Sequence, residues 1–451
     1  MARWAGTLLL TAAPVSMPLS ATATSEQTAA LTVVQADLVA RANRLGATDI
    51  RTQPAPQGGF ILGGKLDGDQ FAVAFPANWN GNALLFAHGY STPGSPIAVS
   101  EDPIGKGTGA GGMLSAAYED GLAAGHSAYD KAGMGVQTAT ENTLRLRNFL
   151  TKLGTKRTYI SGASMGGNIV LSLIEQYPRA FAGGLAVCGV TNGWESLFGQ
   201  LIDMRITYNY LTRGTPYALP GEQDATRNAL PTSPPAGDAT NAEAYRWGQV
   251  SKIALPVLSL FKAAAANPAG PEARIARQVA AVGGFEAEPS SVAFPLVTGT
   301  LGADDLAETF GGQIFDNSNK TYVLPEMTAA EQAVFNAGVQ RIRADRAAVT
   351  NARLWHQATG RFRVPLVTMH NRIDSLVPYS QAVALGGIVR KARNERRLVQ
   401  FEVPATKAPL PVGGLEGYTH CGFSTEQGAT AWRALYNWAE TGKRPAPDAV
   451  K

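Results

Sequence analysis

Short apolar runs alternate with helical-period segments over much of the chain. Six apolar runs have the length of buried strands, and amphipathic segments such as 137–150 and 381–393 separate most of them. Two further runs, 60–64 and 70–75, flank Asp67-Gly68, which is a strong hairpin signal. The pattern predicts an α/β fold with an eight-stranded, mostly parallel sheet covered by helices on both faces. The six runs are residues 83–87, 125–129, 158–161, 184–188, 365–369 and 398–403.

The alternation stops between residues 189 and 364. Helical patterns joined by Pro/Gly-rich segments fill this stretch, and Thr328 with Glu331 forms a capping-box signature for a helix that runs to about residue 348. We therefore predict a large helical cap inserted after the sixth strand, over the carboxyl ends of the strands. The predicted organisation is a signal peptide at 1–23, a first core segment at 24–189, the cap at 190–363 and a second core segment at 364–451.

The first 23 residues have the pattern of a secretory signal. Arg3 supplies a positive charge, residues 4–19 are mostly apolar or small, and an A-x-A cleavage site follows at 21–23. Two prolines within the apolar run argue against a membrane-spanning helix. We expect a secreted or periplasmic protein without stable membrane insertion, and a disordered N-terminal extension is the alternative.

Composition and charge narrow the classes of function. A hydrophobic content of 45% and a charged content of 16% are typical of a folded globular protein with a large core. The net charge of +4 is too even to imply a nucleic acid partner, and no basic stripe carries interleaved aromatic residues. We interpret the densest basic cluster as a solvated helix face; it consists of Arg390, Lys391, Arg393, Arg396 and Arg397.

One short motif dominates the candidate chemistry. Residues 162–166 read Gly-Ala-Ser-Met-Gly, a G-x-S-x-G pattern, with an apolar strand run before it and a helical segment, 168–177, after it. On such a strand-to-helix turn the serine hydroxyl is raised above the sheet, and only small neighbours allow so sharp a turn. The pattern alone is weak in a chain with 49 glycines. Its position between a strand and a helix makes Ser164 a candidate nucleophile.

A serine nucleophile needs a base, and the base needs a carboxylate that holds its tautomer. Among the five histidines, only His420 follows both the last predicted strand and a credible acid, in the chain order serine, acid, histidine. Asp374, just beyond the run 365–369, is the candidate acid, and a helix-capping aspartate is the alternative reading. Glu195, after the sixth strand, is the second-ranked acid.

Acyl transfer also needs hydrogen-bond donors for the oxyanion that develops. We assign one to the backbone N–H of Met165 and the other to the N–H of Tyr90, in the loop after the third predicted strand. The side chain of His88 in that loop is interpreted as structural. The His, Cys and Asp spacings show no zinc pattern, and we expect neither a metal nor an organic cofactor.

The two cysteines fall close to these candidates. Cys188 ends the sixth predicted strand, which lies between the strands that lead to Ser164 and Asp374, and Cys421 is adjacent to His420. We therefore predict a Cys188–Cys421 disulfide that fixes the histidine loop to the sheet. Two buried free thiols are the alternative.

The start of the predicted cap is rich in aromatic residues. Trp194 and Phe198 are candidates for an acyl or alcohol pocket beside the nucleophile. At helical spacing such residues also pack in cores, and core packing is the alternative.

The chain contains four short segments in this order: FAHGY at 86–90, GASMGG at 162–167, HNRIDSLVP at 370–378 and THCGF at 419–423. In sequence and in order they resemble the α/β-hydrolase superfamily. The resemblance implies an eight-stranded hydrolase fold with a triad of Ser164, Asp374 and His420. Two stretches, PANWNGNALLFAHGY at 76–90 and HCGF at 420–423, are also similar to secreted bacterial esterases of the prolyl-oligopeptidase-like type. Tannases and feruloyl esterases likewise tie the histidine loop through a cysteine after the histidine, but their second cysteine precedes the serine, where this chain has Ala163.

These features predict an exported serine esterase acting on a small-molecule or polymeric ester. Ser164 would attack the carbonyl carbon, and His420 would move the proton. A serine peptidase or amidase, or a lactonase or polyester depolymerase, would use the same triad. A hydrolase fold used only for binding is a more remote alternative, because all three candidate residues are intact.

Overall fold

The computed structural model describes residues 25–105, 112–231, 233–235, 241–412 and 414–450, so the predicted signal peptide lies outside the described residues. The central sheet has nine strands: β1 Thr48–Pro54, β2 Phe60–Leu66, β3 Asp69–Phe75, β4 Asn82–Ala87, β5 Ala123–Ser127, β6 Arg157–Ala163, β7 Gly184–Val187, β8 Leu366–Asn371 and β9 Leu398–Val403. Their order across the sheet is β1-β2-β3-β5-β4-β6-β7-β8-β9. A separate hairpin pairs β10 Lys407–Pro409 with β11 Glu416–Tyr418.

The sheet combines an antiparallel entry with a parallel body. β1, β2, β3 and β5 pair antiparallel in succession, and β5, β4, β6, β7, β8 and β9 run parallel. Helices connect the parallel strands, as such crossovers require. This is the α/β-hydrolase fold that the sequence predicts.

The sheet has one strand more than predicted. The extra strand, β1, pairs antiparallel with β2 at the edge of the sheet, and nearly all of its residues are exposed. An edge strand exposed on both faces has no alternation of apolar and polar residues, so the pattern does not reveal it. The predicted hairpin forms between β2 and β3, with Asp67 at φ 56° and Gly68 at φ 93°, as a two-residue type I′ turn requires.

Helices cover both faces of the sheet. One core contains alternate strand residues such as Leu85 together with Ile169 and Leu385. The other contains the intervening strand residues, such as Leu84, together with Trp432. Within the described residues the α-helices are α1 Ser25–Arg44, α2 Met113–Glu119, α3 Val136–Leu153, α4 Met165–Gln176, α5 Trp194–Thr212, α6 Ala242–Ala266, α7 Pro271–Gly283, α8 Pro289–Leu301, α9 Ala303–Phe310, α10 Ala329–Gly338, α11 Arg346–Leu354, α12 Ser380–Lys391 and α13 Thr425–Thr441.

Seven of these helices, α5 to α11, lie between β7 and β8. Helices α6, α7, α8 and α10 pack with α5 around two further cores, whereas α9 and α11 contribute to a core on the sheet. The predicted capping box is present: the Thr328 N–H donates to Glu331 Oε2 at 2.7 Å, and the Glu331 N–H donates to Thr328 Oγ1 at 3.3 Å. The helix that it begins ends at Gly338 instead of continuing to about residue 348. The backbone after Gly338 makes hydrogen bonds to residues outside the helix: the Ile342 N–H donates to Asn317 Oδ1 at 2.6 Å.

By length and composition, α6 is the one described helix that could cross a membrane. Its residues Ile253, Val257 and Leu258 are buried in a core that α7 and α8 share. Because a core helix satisfies the same criterion, we draw no membrane assignment from it.

Candidate active site

Ser164 lies on a sharp turn between β6 and α4. Its backbone has φ 57° and ψ −120°, a conformation that few residues other than glycine adopt. The neighbouring glycines make this turn possible: a Cβ at Gly162 would lie 2.3 Å from the Gly166 carbonyl oxygen, and one at Gly166 would lie 2.0 Å from that of Ala87. No larger residue fits at either position. The motif therefore forms the predicted strand-to-helix turn, which we call the elbow, with its serine at the carboxyl end of the parallel strands.

Asp374 lies in the loop that follows β8, as predicted, and its carboxylate is fully buried. Oδ1 accepts hydrogen bonds from the N–H groups of Leu376 at 2.9 Å and Val377 at 2.8 Å, and Oδ2 accepts one from the Cys421 N–H at 3.0 Å. Burial alone would raise the pKa of Asp374, but the charge of His420 and its hydrogen bond outweigh burial and hold that pKa below its ordinary value. The carboxylate is thus ionised and held in one orientation.

His420 meets this carboxylate. Its Nδ1 lies 2.7 Å from Asp374 Oδ1 and 3.0 Å from Oδ2, and 11% of the histidine side chain is exposed. An Nδ1–H held by a carboxylate leaves the lone pair on Nε2, the nitrogen that a general base uses. The pairing predicted between His420 and Asp374 is therefore present.

The predicted disulfide joins Cys188 to Cys421, with a Cα–Cα distance of 5.4 Å across 233 positions of sequence. Cys188 follows β7 directly, and its N–H donates to the Met369 carbonyl oxygen of β8 at 2.8 Å. The histidine loop is thus covalently tied to the middle of the parallel sheet. The two sulfurs lie close to Asp374 and His420, but because they are bonded to each other they offer no thiolate to a metal.

Ser164 lies on the same strand ends as the disulfide. Its N–H donates to the Val187 carbonyl oxygen at 3.1 Å. Val187 immediately precedes Cys188, so the nucleophile is hydrogen-bonded to the residue beside the disulfide. Among the residues that the structure describes, Ser164 Oγ makes no hydrogen bond. Catalytic hydrogen bonds of this kind are often long without a substrate and tighten when one binds.

The loop after β4 borders the serine. A Cβ built on Gly89 would lie 3.3 Å from Ser164 Cβ and 3.8 Å from its Oγ. The ring of His88 stacks on Tyr129 with centroids 3.6 Å apart, and the Tyr129 hydroxyl donates to the His88 carbonyl oxygen at 3.0 Å, which braces the loop. Tyr90 therefore follows a rigid segment that lies against the nucleophile.

Glu195, the second-ranked candidate acid, pairs with an arginine and not with His420. Glu195 Oε2 lies 2.5 Å from Arg353 Nε on the surface of the helical insertion, and 29% of the Glu195 side chain is exposed. His420 hydrogen-bonds to Asp374 instead. The structure therefore favours Asp374 over Glu195 as the partner of the histidine.

The predicted pocket residues Trp194 and Phe198 belong to the core. Both are buried, at 2% and 5% exposure, and their rings lie 6.1 Å apart within the cluster that covers one face of the sheet. The Trp194 indole N–H donates to the Trp355 carbonyl oxygen at 2.8 Å. The pocket interpretation is therefore wrong: helical spacing packs these aromatic rings inward.

No sequence pattern pointed to α8, the helix that lies over the site. The ring of Phe294 stands edge-on to His420 with centroids 6.1 Å apart, and Ser290 Oγ donates to the Tyr418 carbonyl oxygen at 2.8 Å. Just past the other end of α8, a Cβ built on Gly302 would lie 3.1 Å from the Tyr90 hydroxyl oxygen. Thus α8, about 20 Å long, reaches from the histidine loop to the Tyr90 loop. In sequence, Phe294 is one apolar residue among many in the insertion.

No protein-family model and no curated protein sequence matches the chain. Among solved structures it is similar to feruloyl esterase B from Aspergillus oryzae, with 13% identity, 91% of each chain covered and a TM-score of 0.49. It is also similar to an esterase from Aspergillus oryzae, with 12% identity, 91% of each chain covered and a TM-score of 0.46. Similarity to puromycin hydrolase covers 89% of this chain and 41% of the other, at 12% identity and a TM-score of 0.37.

Similarities of this degree do not bear on activity. The strand order and the elbow define the class of the chain, a protein of α/β-hydrolase fold. Its serine, aspartate and histidine lie on the loops from which serine hydrolases of this fold draw their triads.

Proposed function

We propose that the protein is a serine esterase with Ser164 as nucleophile, His420 as general base and Asp374 as the residue that orients the base. The observation that carries this proposal is the hydrogen-bonded His420–Asp374 pair, tied by a disulfide to the strand end beside the elbow serine. Each group lies on a different loop, and all three loops emerge from the carboxyl edge of the sheet.

In the proposed reaction, His420 Nε2 takes the proton of Ser164 Oγ as the oxygen attacks the ester carbonyl carbon. The tetrahedral intermediate collapses when His420 returns this proton to the departing alkoxide, which leaves an acyl-enzyme. Water, deprotonated by the same nitrogen, then releases the carboxylic acid and restores Ser164. Asp374 stays ionised throughout and stabilises the imidazolium that forms twice in each cycle.

The oxyanion would be bound by the backbone N–H groups of Met165 and Tyr90. Met165 is the first residue of α4, where backbone N–H groups have no partner within the helix and the helix dipole favours negative charge. The Ser164 side chain does not cap these groups. Tyr90 follows Gly89, which lies against the serine. Loss of one such donor typically costs about 3 kcal/mol of transition-state stabilisation.

The surroundings of the histidine support an ester substrate over a peptide. The helix side chain that stands over His420 is the ring of Phe294, which carries no charge. A peptidase usually provides a charged group for a peptide terminus, whereas an apolar acyl or alcohol group needs none.

The test is covalent labelling with an organophosphonate that mimics the tetrahedral intermediate. We expect one adduct per chain, mapped by mass spectrometry to Ser164, and none on the Ser164→Ala variant. Labelling of another residue, or none in folded protein, would remove the enzyme proposal. A panel of p-nitrophenyl esters, lactones, polyesters and peptide amides then separates an esterase from the other enzymes that use this triad.

We also propose that the protein is exported. The disulfide supports this, since such bonds persist in oxidising compartments and are rare where glutathione keeps thiols reduced. Fractionation of the producing cells, with N-terminal sequencing of the protein recovered, tests it. A chain that starts at residue 24 outside the cytoplasm is the expected result, and a full-length cytoplasmic chain would contradict it.

A further inference from the structure

One end of the molecule concentrates cationic side chains from three chain segments, 361–363, 390–397 and 443–444. Together they hold nine cationic residues and one acidic residue, Glu395, a formal charge of +8. Since the whole chain carries +4, the rest of it sums to −4. We call this surface the basic face; its cationic residues are Arg361, Arg363, Arg390, Lys391, Arg393, Arg396, Arg397, Lys443 and Arg444.

Hydrogen bonds between the segments bring these residues to one place. Asn394 Nδ2 donates to the Gly360 carbonyl oxygen at 2.8 Å, which joins the first segment to the second. Arg444 Nη2 donates to the Leu398 carbonyl oxygen at 2.5 Å, which joins the third segment to the second. The basic face therefore extends well beyond the cluster that is visible in the sequence.

The side chains of the basic face are exposed and largely without partners. All nine cationic residues belong to the exposed class. Within the part of the chain that the structure describes, eight of the nine side chains make no ion pair or hydrogen bond; Arg444, with its backbone acceptors, is the exception. A solvated helix face usually intersperses both signs of charge, whereas this surface repels itself unless an anion binds.

The basic face lies at the opposite end of the sheet from the candidate active site. Its segments border the first residues of β8 and β9, Leu366 and Leu398, whereas the loops of Asp374 and His420 follow the last residues of these strands. Strands of six residues span about 20 Å. A partner bound here leaves the catalytic opening facing away from it, so the partner is not the substrate.

We propose that the basic face binds the surface of an anionic phospholipid bilayer. Seven of its nine cationic residues are arginines, whose guanidinium groups pair with phosphate oxygens in bidentate fashion. The three segments are joined by hydrogen bonds at one end of the molecule, and clusters of this size bind anionic lipid headgroups. The single aromatic residue of these segments, Phe362, is buried, so nothing there stacks on nucleic acid bases or inserts among acyl chains.

The experiment is co-sedimentation of the full chain with vesicles of 70% phosphatidylcholine and 30% phosphatidylglycerol, with pure phosphatidylcholine vesicles as the reference. We expect binding to the anionic vesicles in 50 mM NaCl, none to the neutral vesicles, and release in 500 mM NaCl as the charges are screened. The triple variant Arg393→Gln, Arg396→Gln, Arg397→Gln should lower the partition coefficient by about 100-fold.

The matched control removes three exposed positive charges from the helical insertion, through Lys262→Gln, Arg213→Gln and Arg346→Gln. It should bind like the wild type, and equal rates of p-nitrophenyl ester hydrolysis in both triple variants would show that each is folded. Equal losses of binding in the two variants would show that binding depends on the net charge of the chain and not on the basic face, and would overturn the proposal. Absence of vesicle binding would also overturn the proposal. The same holds if the chain binds a 30-base-pair DNA duplex instead of vesicles and the basic-face variant loses that binding.

Discussion

The His420–Asp374 and His356–Glu175 pairs have nearly the same local geometry. The closest nitrogen–oxygen distances are 2.7 and 2.9 Å, and the two carboxylate side chains are 0% and 3% exposed. In both cases burial alone would raise the pKa of the carboxyl group, and the histidine holds it below its ordinary value instead. Distance, burial and the direction of the pKa shift therefore do not tell the two pairs apart.

The surroundings of the two pairs distinguish them. Helix α4 begins beside Ser164 and carries Glu175 in its last turn, about 17 Å away. Glu175 also accepts hydrogen bonds from Thr359 N–H at 2.9 Å and Gly360 N–H at 2.8 Å, and His356 bonds through Nε2. This pair is a closed brace between α4 and the end of the helical insertion.

The catalytic candidate differs in which ring nitrogen the carboxylate holds. His420 bonds to Asp374 through Nδ1, and its Nε2 lies 3.4 Å from Cys421 Sγ, at the edge of the sheet where the elbow serine lies. Because a disulfide sulfur has no proton to donate, the Nε2 lone pair stays unused. A histidine–carboxylate pair defines a catalytic centre only together with a nucleophile and a ring nitrogen that is free to take the proton of that nucleophile.

The strongest test of this difference substitutes each histidine in turn. His420→Gln should lower kcat/KM for a p-nitrophenyl ester about 10⁵-fold, because the base of the triad is lost. His356→Gln should leave kcat within about threefold and lower the free energy of unfolding by about 1–3 kcal/mol, because Glu175 loses a buried partner. Steady-state kinetics and urea unfolding measure both. Near-normal activity of His420→Gln would contradict the assignment.

The carboxylates should separate in the same way. Asp374→Asn should lower kcat about 10⁴-fold with little change in KM, because the amide favours the wrong imidazole tautomer. Glu175→Gln should keep its activity and melt at a lower temperature. Kinetics and thermal unfolding monitored by circular dichroism provide the readouts. A large loss of kcat in Glu175→Gln would mean that the two pairs are not functionally distinct.

Of the two pairs, only His420–Asp374 has its histidine in a loop fixed by a disulfide. Removal of the disulfide measures its contribution to stability and to kcat. The double variant Cys188→Ala, Cys421→Ala should lose up to about 5 kcal/mol of stability, the chain-entropy limit for so long a loop. We expect kcat to fall about tenfold as His420 becomes mobile, a smaller change than loss of the histidine itself. Unaltered kcat in a destabilised variant would show that the disulfide stabilises the fold without positioning the base.

The remaining histidines extend the comparison to rings without a carboxylate hydrogen bond. Burial lowers the pKa of His88 to about 4, and it also lowers the pKa values of His126 and His370. The unfolded chain binds these protons near pH 6.5, so folding stability should fall as the pH drops from about 6.5 towards 4. His88 alone should account for up to about 3 kcal/mol of that loss.

Urea unfolding from pH 7 to 4 measures this dependence. The variant His88→Phe keeps a ring against Tyr129 and should show a shallower decline of stability with falling pH. Identical slopes for variant and wild type would rule out His88 as a source of the acid sensitivity.

The sequence by itself determined the features whose signals are local or follow from chain order. The elbow is one, because Gly162 and Gly166 occupy positions where any Cβ would collide with backbone. The Asp67-Gly68 hairpin is another, since its turn type requires positive φ at both residues. Order along the chain sufficed to select His420, Asp374 and the cysteine pair, because parallel strands bring the loops after them to one edge of the sheet.

Only the tertiary structure decided what depends on contacts between distant segments. Strand β1 forms through pairing with β2 and has no apolar pattern of its own, and the packing of Trp194 in the core depends on an acceptor at Trp355. The position of Phe294 over His420 and the assembly of the basic face likewise arise between residues far apart in sequence. Such contacts leave no periodicity along the chain, because which face of a helix meets which loop is set by the packing of the whole molecule.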